Sequence, residues 1–486
     1  MYPDMFRVFP AVLTFLIFGL FSGDSYAYKE RPFDWSSSVD TDLSAVFDSH
    51  DESNANLLSP LISENAIQSA LDDRDHRINP LFAIPRELRS SVSLWLRVYT
   101  EFTTQHVVLF DGRHPEIIYD VLDFRPLAES AKSKLVYEIM RERQIKTAVA
   151  KYRSAFGRLS RNPHPRSPTP EEKKVLAAVR KASHKHGFAS LSHTFRTQTG
   201  QRDNIVRGLG KADPLFNKME AIFASVGIPA ELSRLVLVES SFNTNVVSSA
   251  GATGVWQFLE PSAREFMIVD HKMNVDERLS PIKSTVAAAR LLQRNFKLLH
   301  DWGLAITSYN SGTKPLLGLS RRIPKSAMAR KVFSYCDGTH TLGFAGKSYY
   351  PSFLAILHAE SYRDFFFGRP NRLPEPTKMA YFRLGKSQSA LDFGIEHGLS
   401  LHEFIRINPD VRNIKRPLPE GYWLAVPSQA ADSFGGLIAE NLNSLQLDKK
   451  RRSPRRSHKI SMSRRRHGRT TLMTSGETRT SSDHKI

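Results

Sequence analysis

The stretch from Ile228 to Phe258, IPAELSRLVLVESSFNTNVVSSAGATGVWQF, constrains this chain more than any other. Pro229 suits the first turn of a helix, where a missing N–H costs nothing. From there Leu232, Leu235 and Val236 recur at the spacing of a buried helical face, and Glu239 is the next member of that series. A carboxylate at such a position leaves water, and burial disfavours its charged form, so its pKa rises. That is the state an acid catalyst needs near neutral pH. The competing arrangement is a helix-end Glu that turns outward or pairs with Arg234.

The residues beyond the glutamate add equipment. Asn243 and Asn245 precede SSAGATGVWQF, which begins at Ser248. Gly251 and Gly254 permit positive φ or a close approach of backbone to a ligand. Trp256 and Gln257 offer an aromatic surface and an amide, as a sugar subsite does, although a Trp here also fits a core position. Further on, AITSYNSG carries Tyr309-Asn310. Three blocks in this order, Glu239-Ser240, Gly251-Ala252-Thr253-Gly254-Val255-Trp256-Gln257-Phe258 and Tyr309-Asn310, resemble the soluble lytic transglycosylase (SLT) family of peptidoglycan-cleaving enzymes. The lead-in GLGKADPLFNKMEAIFASVGIPAELSRLVLVESSFN resembles the family's membrane-bound D-type subgroup. So does SYYPSFLAILHAESYRDFFFG from Ser348, a helical pattern expected to close the core. The resemblance covers roughly residues 199–428.

That resemblance implies a mainly α fold: a lysozyme-like (SLT) helical catalytic domain with an N-terminal helical extension and a small βααβ module similar to LysM. It implies cleavage between N-acetylmuramic acid and N-acetylglucosamine, with Glu239 as acid and then base, a 1,6-anhydro ring as product, and no metal or cofactor. By the same resemblance, Ser240, Ser248, Gly254, Gln257, Tyr309 and Asn310 form the substrate-binding set, although Ser240 also suits a role in holding the helix end. Glu260, Glu265, Asp270 and Asp301 are the candidates for a second carboxylate, which hydrolysis in the manner of goose-type lysozyme would require. None occupies a recognisable family position, and each reads as a helix-start or surface charge. The rival functions are therefore a muramidase and a non-catalytic peptidoglycan-binding protein.

At 486 residues the chain predicts several domains. Residues 1–27 read as a secretory signal, with Arg7, an apolar run from Val8 and a Ser25-Tyr26-Ala27 cleavage site; an uncleaved anchor is the alternative. The first segment has no cysteine to lipidate, so a lipoprotein is not expected, and the periplasm or cell envelope is the expected location. Residues 28–79 read as a disordered lead-in and 80–198 as a helical support region. The catalytic domain is expected at 199–368, a linker at 369–377 and the LysM-like module at 378–428. Cys336, the single cysteine, excludes an internal disulfide. From Lys449 the tail holds 13 Lys or Arg against 2 acidic residues, more than half of the net charge of +19. Residues 441–486 therefore read as a disordered basic tail that attracts anionic envelope polymers or lipids. The expected partner is the peptidoglycan glycan strand, with no specific nucleic acid.

Overall fold

The computed structural model describes residues 62–182, 187–334, 342–368 and 379–428, with the backbone of a two-residue strand at 438–439. The expected signal (1–27), most of the lead-in, Cys336, the linker and the basic tail lie outside the described residues. The fold is mainly α, as expected.

The order begins earlier than the sequence suggests. Helix α1 (Glu64–Leu71) falls within the expected disordered lead-in, yet Ser63 caps it and Ile67, Ala70 and Leu71 are buried in the main core. Helix α2 (Arg89–Thr100) comes next, with Trp95 and Leu96 in the same core. Residues 64–100 are thus part of the central body rather than an extension to it.

Strands β1 (His106–Asp111) and β2 (Ile118–Asp123) form an antiparallel hairpin. The HVVLF run of β1 does not alternate because both its faces are covered. Val107 and Leu109 point to one apolar cluster, and Val108 and Phe110 to another that includes Leu94 of α2. The first cluster is completed by α3 (Lys134–Arg161) and α4 (Pro170–Lys181). Tyr152, Phe156 and Leu159 of α3 recur at helical spacing and are buried there. Thr169 and Glu172 form a reciprocal capping box at the start of α4, where TPEE marks a helix start. Replacing Thr169 with Ala should lower stability by about 1 kcal/mol, read from the chemical denaturation midpoint. The support region is not helical throughout, since β3 (Phe195–Thr199) adds to β1 and gives the sheet order β2-β1-β3.

The central body continues with α5 (Arg202–Ser225), α6 (Leu235–Ser240), α7 (Pro281–Leu299), α8 (Trp302–Ser311) and α9 (Phe344–Ser361). Helix α8 stops at Gly312, whose φ of +75° ends the helix in a conformation that glycine adopts at little cost. Every residue of α9 from Gly346 to Ala359 is buried. A helix buried on all sides lies inside its domain. It packs against α2, α6 and α8.

Residues 379–427 run strand, helix, helix, strand: β4 (Met379–Arg383), α10 (Ala390–Glu396), α11 (Leu401–Ile407) and β5 (Trp423–Pro427), with β4 antiparallel to β5. Asn408 joins the end of α11 to β5. Its amide donates to the Phe404 and Ala425 carbonyls and accepts from the Ala425 N–H.

Candidate active site

A 3-10 turn (Ala230–Arg234) leads into α6, and Leu232, Leu235 and Val236 are fully buried, so the face read from the sequence is the face that packs. Glu239 lies in the last turn, 9% exposed, at the edge of the core but not sealed within it. Arg234 does not pair with it. The guanidinium lies over the Phe216 ring and bonds to Glu220 and, at 3.2 Å, to Glu360. Ser241 and Phe242 directly after α6 both have positive φ (+49° and +57°), an unusual conformation for non-glycine residues. Such strain is concentrated at functional sites.

Burial pushes the Glu239 carboxyl up to about 7, opposed by a hydrogen bond donated by the Tyr349 hydroxyl. Among the described residues, no neighbouring carboxylate contributes to this shift. The four candidates for a second carboxylate are occupied elsewhere. Glu260 bonds to Arg264 and Glu265 to Arg294, while Asp270 caps a turn and Asp301 caps α8.

The glycine block is a tight loop. The Ser248 hydroxyl accepts the Ala252 N–H at 3.0 Å, closing a turn, and Gln257 (φ +48°) donates its amide to the Val246 and Gly254 carbonyls. Gly254 has φ +75°, and a Cβ there would lie 2.0 Å from the Arg278 carbonyl oxygen. The close approach that this glycine permits is to the protein's own backbone. Ser240 likewise meets the protein itself. Its hydroxyl is buried and donates to the Val255 carbonyl at 2.8 Å, bracing the loop against α6. Trp256 is no sugar platform: it is fully buried, near-parallel to Phe223, and donates its indole N–H to Thr285.

Tyr309, in α8, donates its hydroxyl to the Trp256 carbonyl at 2.8 Å. It feels the charge of Glu239 but its bond goes to the loop. The group on the carboxyl is Tyr349 of α9, in the SYYPSF stretch for which the sequence gives only a core-closing role. Tyr99 of α2 completes a buried tyrosine set around Glu239. Ser248, Gln257, Tyr309 and Asn310 are half-buried, leaving part of each accessible, and Asn243 and Asn245 are exposed. None of these residues lines the cavity of about 540 Å³ that lies among β2, α3 and α4.

The Tyr349 bond favours the ionised carboxylate, so its loss raises the Glu239 pKa further. Tyr349→Phe should move the alkaline limb of the rate profile to higher pH and cut kcat by roughly 100-fold, checked by kcat and kcat/KM across pH.

Comparison with known proteins falls on this region. Residues 221–326 match the transglycosylase SLT domain. The chain is 33% identical over 232 residues to the membrane-bound lytic murein transglycosylase D of Escherichia coli (strain K12), covering 47% of this chain and 50% of that protein. The same figures hold for the protein of that name in Escherichia coli O6:H1. A protein of Alteromonas sp. (strain M-1) named for tributyltin chloride resistance is 30% identical over 118 residues, 24% of this chain and 56% of the relative. The chain thus spans about half the length of the curated relatives it matches. Glu239, the glycine loop and Tyr309 lie within the matched segment, whereas Tyr99 and Tyr349 lie outside it. Residues 221–326, the segment that holds Glu239 and the glycine loop, are thus what this chain shares with the transglycosylase SLT domain.

Proposed function

We propose that this chain is an exported peptidoglycan lytic transglycosylase that uses Glu239 as both acid and base. The observation that carries this reading is a buried carboxyl held near neutrality with, among the described residues, no second carboxylate coupled to it. A two-carboxylate glycosidase needs a partner acid at a defined separation. Glu239, protonated near pH 7, gives its proton to the glycosidic oxygen as the bond to C1 of N-acetylmuramic acid breaks. The substrate's acetamido group stabilises the electron-poor C1, and Tyr349 stabilises the carboxylate just formed. The C6 hydroxyl of the same sugar then attacks C1, and Glu239 recovers a proton from it. A 1,6-anhydro ring closes and no water is consumed.

Ser248, Gln257, Tyr309 and Asn310 are the proposed lining of the sugar site. The two transglycosylase D relatives act on murein by name, and the proposed substrate is the same polymer. Among the described residues no helix is long and apolar enough to cross a membrane, and a location in the cell envelope belongs to the proposal. The segment 379–427 is proposed as a LysM-like glycan contact. Retention of the full chain on purified sacculi should weaken when its exposed face, marked by Ile395, is altered.

The test of the reaction is mass spectrometry of sacculi digested by the purified chain. Muropeptides one water lighter than their reducing counterparts are expected. Predominantly reducing ends would assign the chain to the muramidases.

A further inference from the structure

Modules joined in one chain normally meet through modest polar interfaces and move relative to each other. The C-terminal module here is embedded instead. Val275, from a short hairpin of the catalytic body (Val269–Asp270 with Val275–Asp276), is fully buried in the module's own apolar cluster. In return, Met379, Tyr381, Ile407 and Ala425 of the module belong to the main core. Backbone bonds cross the boundary. The Asp276 N–H donates to the Asp410 carbonyl at 2.9 Å, and the Arg412 N–H to the Asn274 carbonyl at 3.2 Å.

A buried ion pair lies beneath these bonds. Lys283, in the first turn of α7, reaches Asp410 at 2.5 Å, the Tyr422 hydroxyl at 2.9 Å and the Trp423 carbonyl at 2.8 Å. A buried cation without these acceptors would be strongly destabilising, so the pair commits the module to this position.

The contact leads to the active site. Asp276, 1% exposed, lies between Arg412 of the module (3.8 Å) and Arg278, which it holds by two bonds of 2.9 and 2.8 Å. The same Arg278 guanidinium donates to the Gly251 and Phe258 carbonyls, at 3.4 Å each. Its carbonyl oxygen is the atom against which Gly254 is pressed. Between those contacts the loop gives the Val255 carbonyl to Ser240 and the Trp256 carbonyl to Tyr309.

We propose that the C-terminal module buttresses the cleavage site from behind: its Arg412 backs Asp276, Asp276 holds Arg278, and Arg278 sets the position of the 251–258 loop beside Glu239. Asp276 and Arg278 are then positioning residues, and the module has a role in turnover separate from any glycan contact. The proposal rests on Glu239 being the catalytic acid.

The test uses the full chain carrying Arg278→Lys, which keeps a positive charge for Asp276 but loses the planar fork that serves Asp276 and both carbonyls together. Expected is a folded protein with kcat on solubilised glycan strands lowered about 10- to 100-fold, the range for a displaced reacting group. The alkaline limb should also move to lower pH, because a loosened loop admits water to Glu239 and returns its pKa toward the ordinary range. The groups facing Glu239, namely Tyr99, Tyr309 and Tyr349, are unchanged in this variant, and a purely structural role would leave that limb in place. A folded Arg278→Lys protein with unchanged kcat and pH profile overturns the proposal. Should that variant fail to fold, Arg412→Gln, whose side chain is 34% exposed, must show the same two changes in smaller measure, and their absence overturns it equally. Glu239→Gln, measured alongside, reports separately on the underlying reading: if it alone loses cleavage, the acid assignment stands and the module's role falls.

Discussion

Glu239→Gln should abolish cleavage of purified sacculi and, above neutral pH, make the protein more stable. The rate loss comes from removing the only proton carrier the proposed mechanism has, and general acid–base groups contribute about 10²- to 10⁴-fold. The stability gain comes from linkage. In the unfolded chain the carboxyl titrates at its ordinary value of 4.5, and in the folded chain at about 7, because burial disfavours its charge. Below pH 4.5 both states hold the proton and no penalty exists. As pH rises through 7 the folded state is forced to carry a buried anion, and a gap of this size is worth roughly 3 kcal/mol. Gln is neutral at every pH and can still accept the Tyr349 bond. Melting curves of wild type and variant should therefore nearly coincide at pH 4.5 and separate at pH 8.5. Equal separation at both would mean that Glu239 titrates as an ordinary surface carboxylate. On the proposed mechanism, the buried carboxyl that supplies the proton also lowers stability above neutral pH.

The second large effect is expected at Gly254. An alanine there must hold φ at +75° and place a methyl carbon 2.0 Å from the Arg278 carbonyl oxygen. Backbone in this region costs a side chain about 1–2 kcal/mol, and overpacking typically adds about 1–3 kcal/mol. Because the neighbour is backbone, it cannot rotate away. Gly254→Ala should therefore lower stability by about 3 kcal/mol or more. It should also remove activity, since the displaced loop carries the carbonyls that bond to Ser240 and Tyr309. Gly251→Ala is the matched control. Its φ is +81°, but nothing lies within 4 Å of the added carbon, so only the backbone cost of about 1 kcal/mol applies. Denaturation midpoints and sacculus clearance for the two variants separate strain from collision. Equal losses would mean that contact with Arg278 does not restrain the loop.

These residues also mark where the sequence is legible. Glu239 can be read because a carboxylate interrupting a run of buried aliphatic positions is a local pattern, visible within two helical turns. The Thr169 capping box and the Gly312 stop are local in the same sense. So is the strand, helix, helix, strand order of residues 379–427, where turn residues separate short apolar runs. Features that depend on contacts between distant segments stay hidden. Tyr349 reaches the carboxyl from 110 residues away, and SYYPSF is buried on every face, so no periodicity singles out one tyrosine. The pairing of β1 with β3 joins residues nearly ninety apart, and nothing near Phe195 announces it. Helix α1 escapes notice for another reason: a single short helix with three buried residues gives too little pattern to stand out from a Ser- and Asp-rich surround. Gly254, Ser240 and Trp256 are recognisable as important, but for a different cause. Residues near the proposed catalytic group read as ligand contacts from sequence alone, and the contacts that these three make within the protein appear only in three dimensions.

The mechanism stands or falls on one carboxyl completing the reaction without an attacking water. Digestion of purified sacculi in water enriched in oxygen-18 decides this at the newly formed glycan ends. Anhydro ends that carry no label are expected. One labelled oxygen at C1 of each new end would show that water is the nucleophile, and the ring-closing reaction would be ruled out.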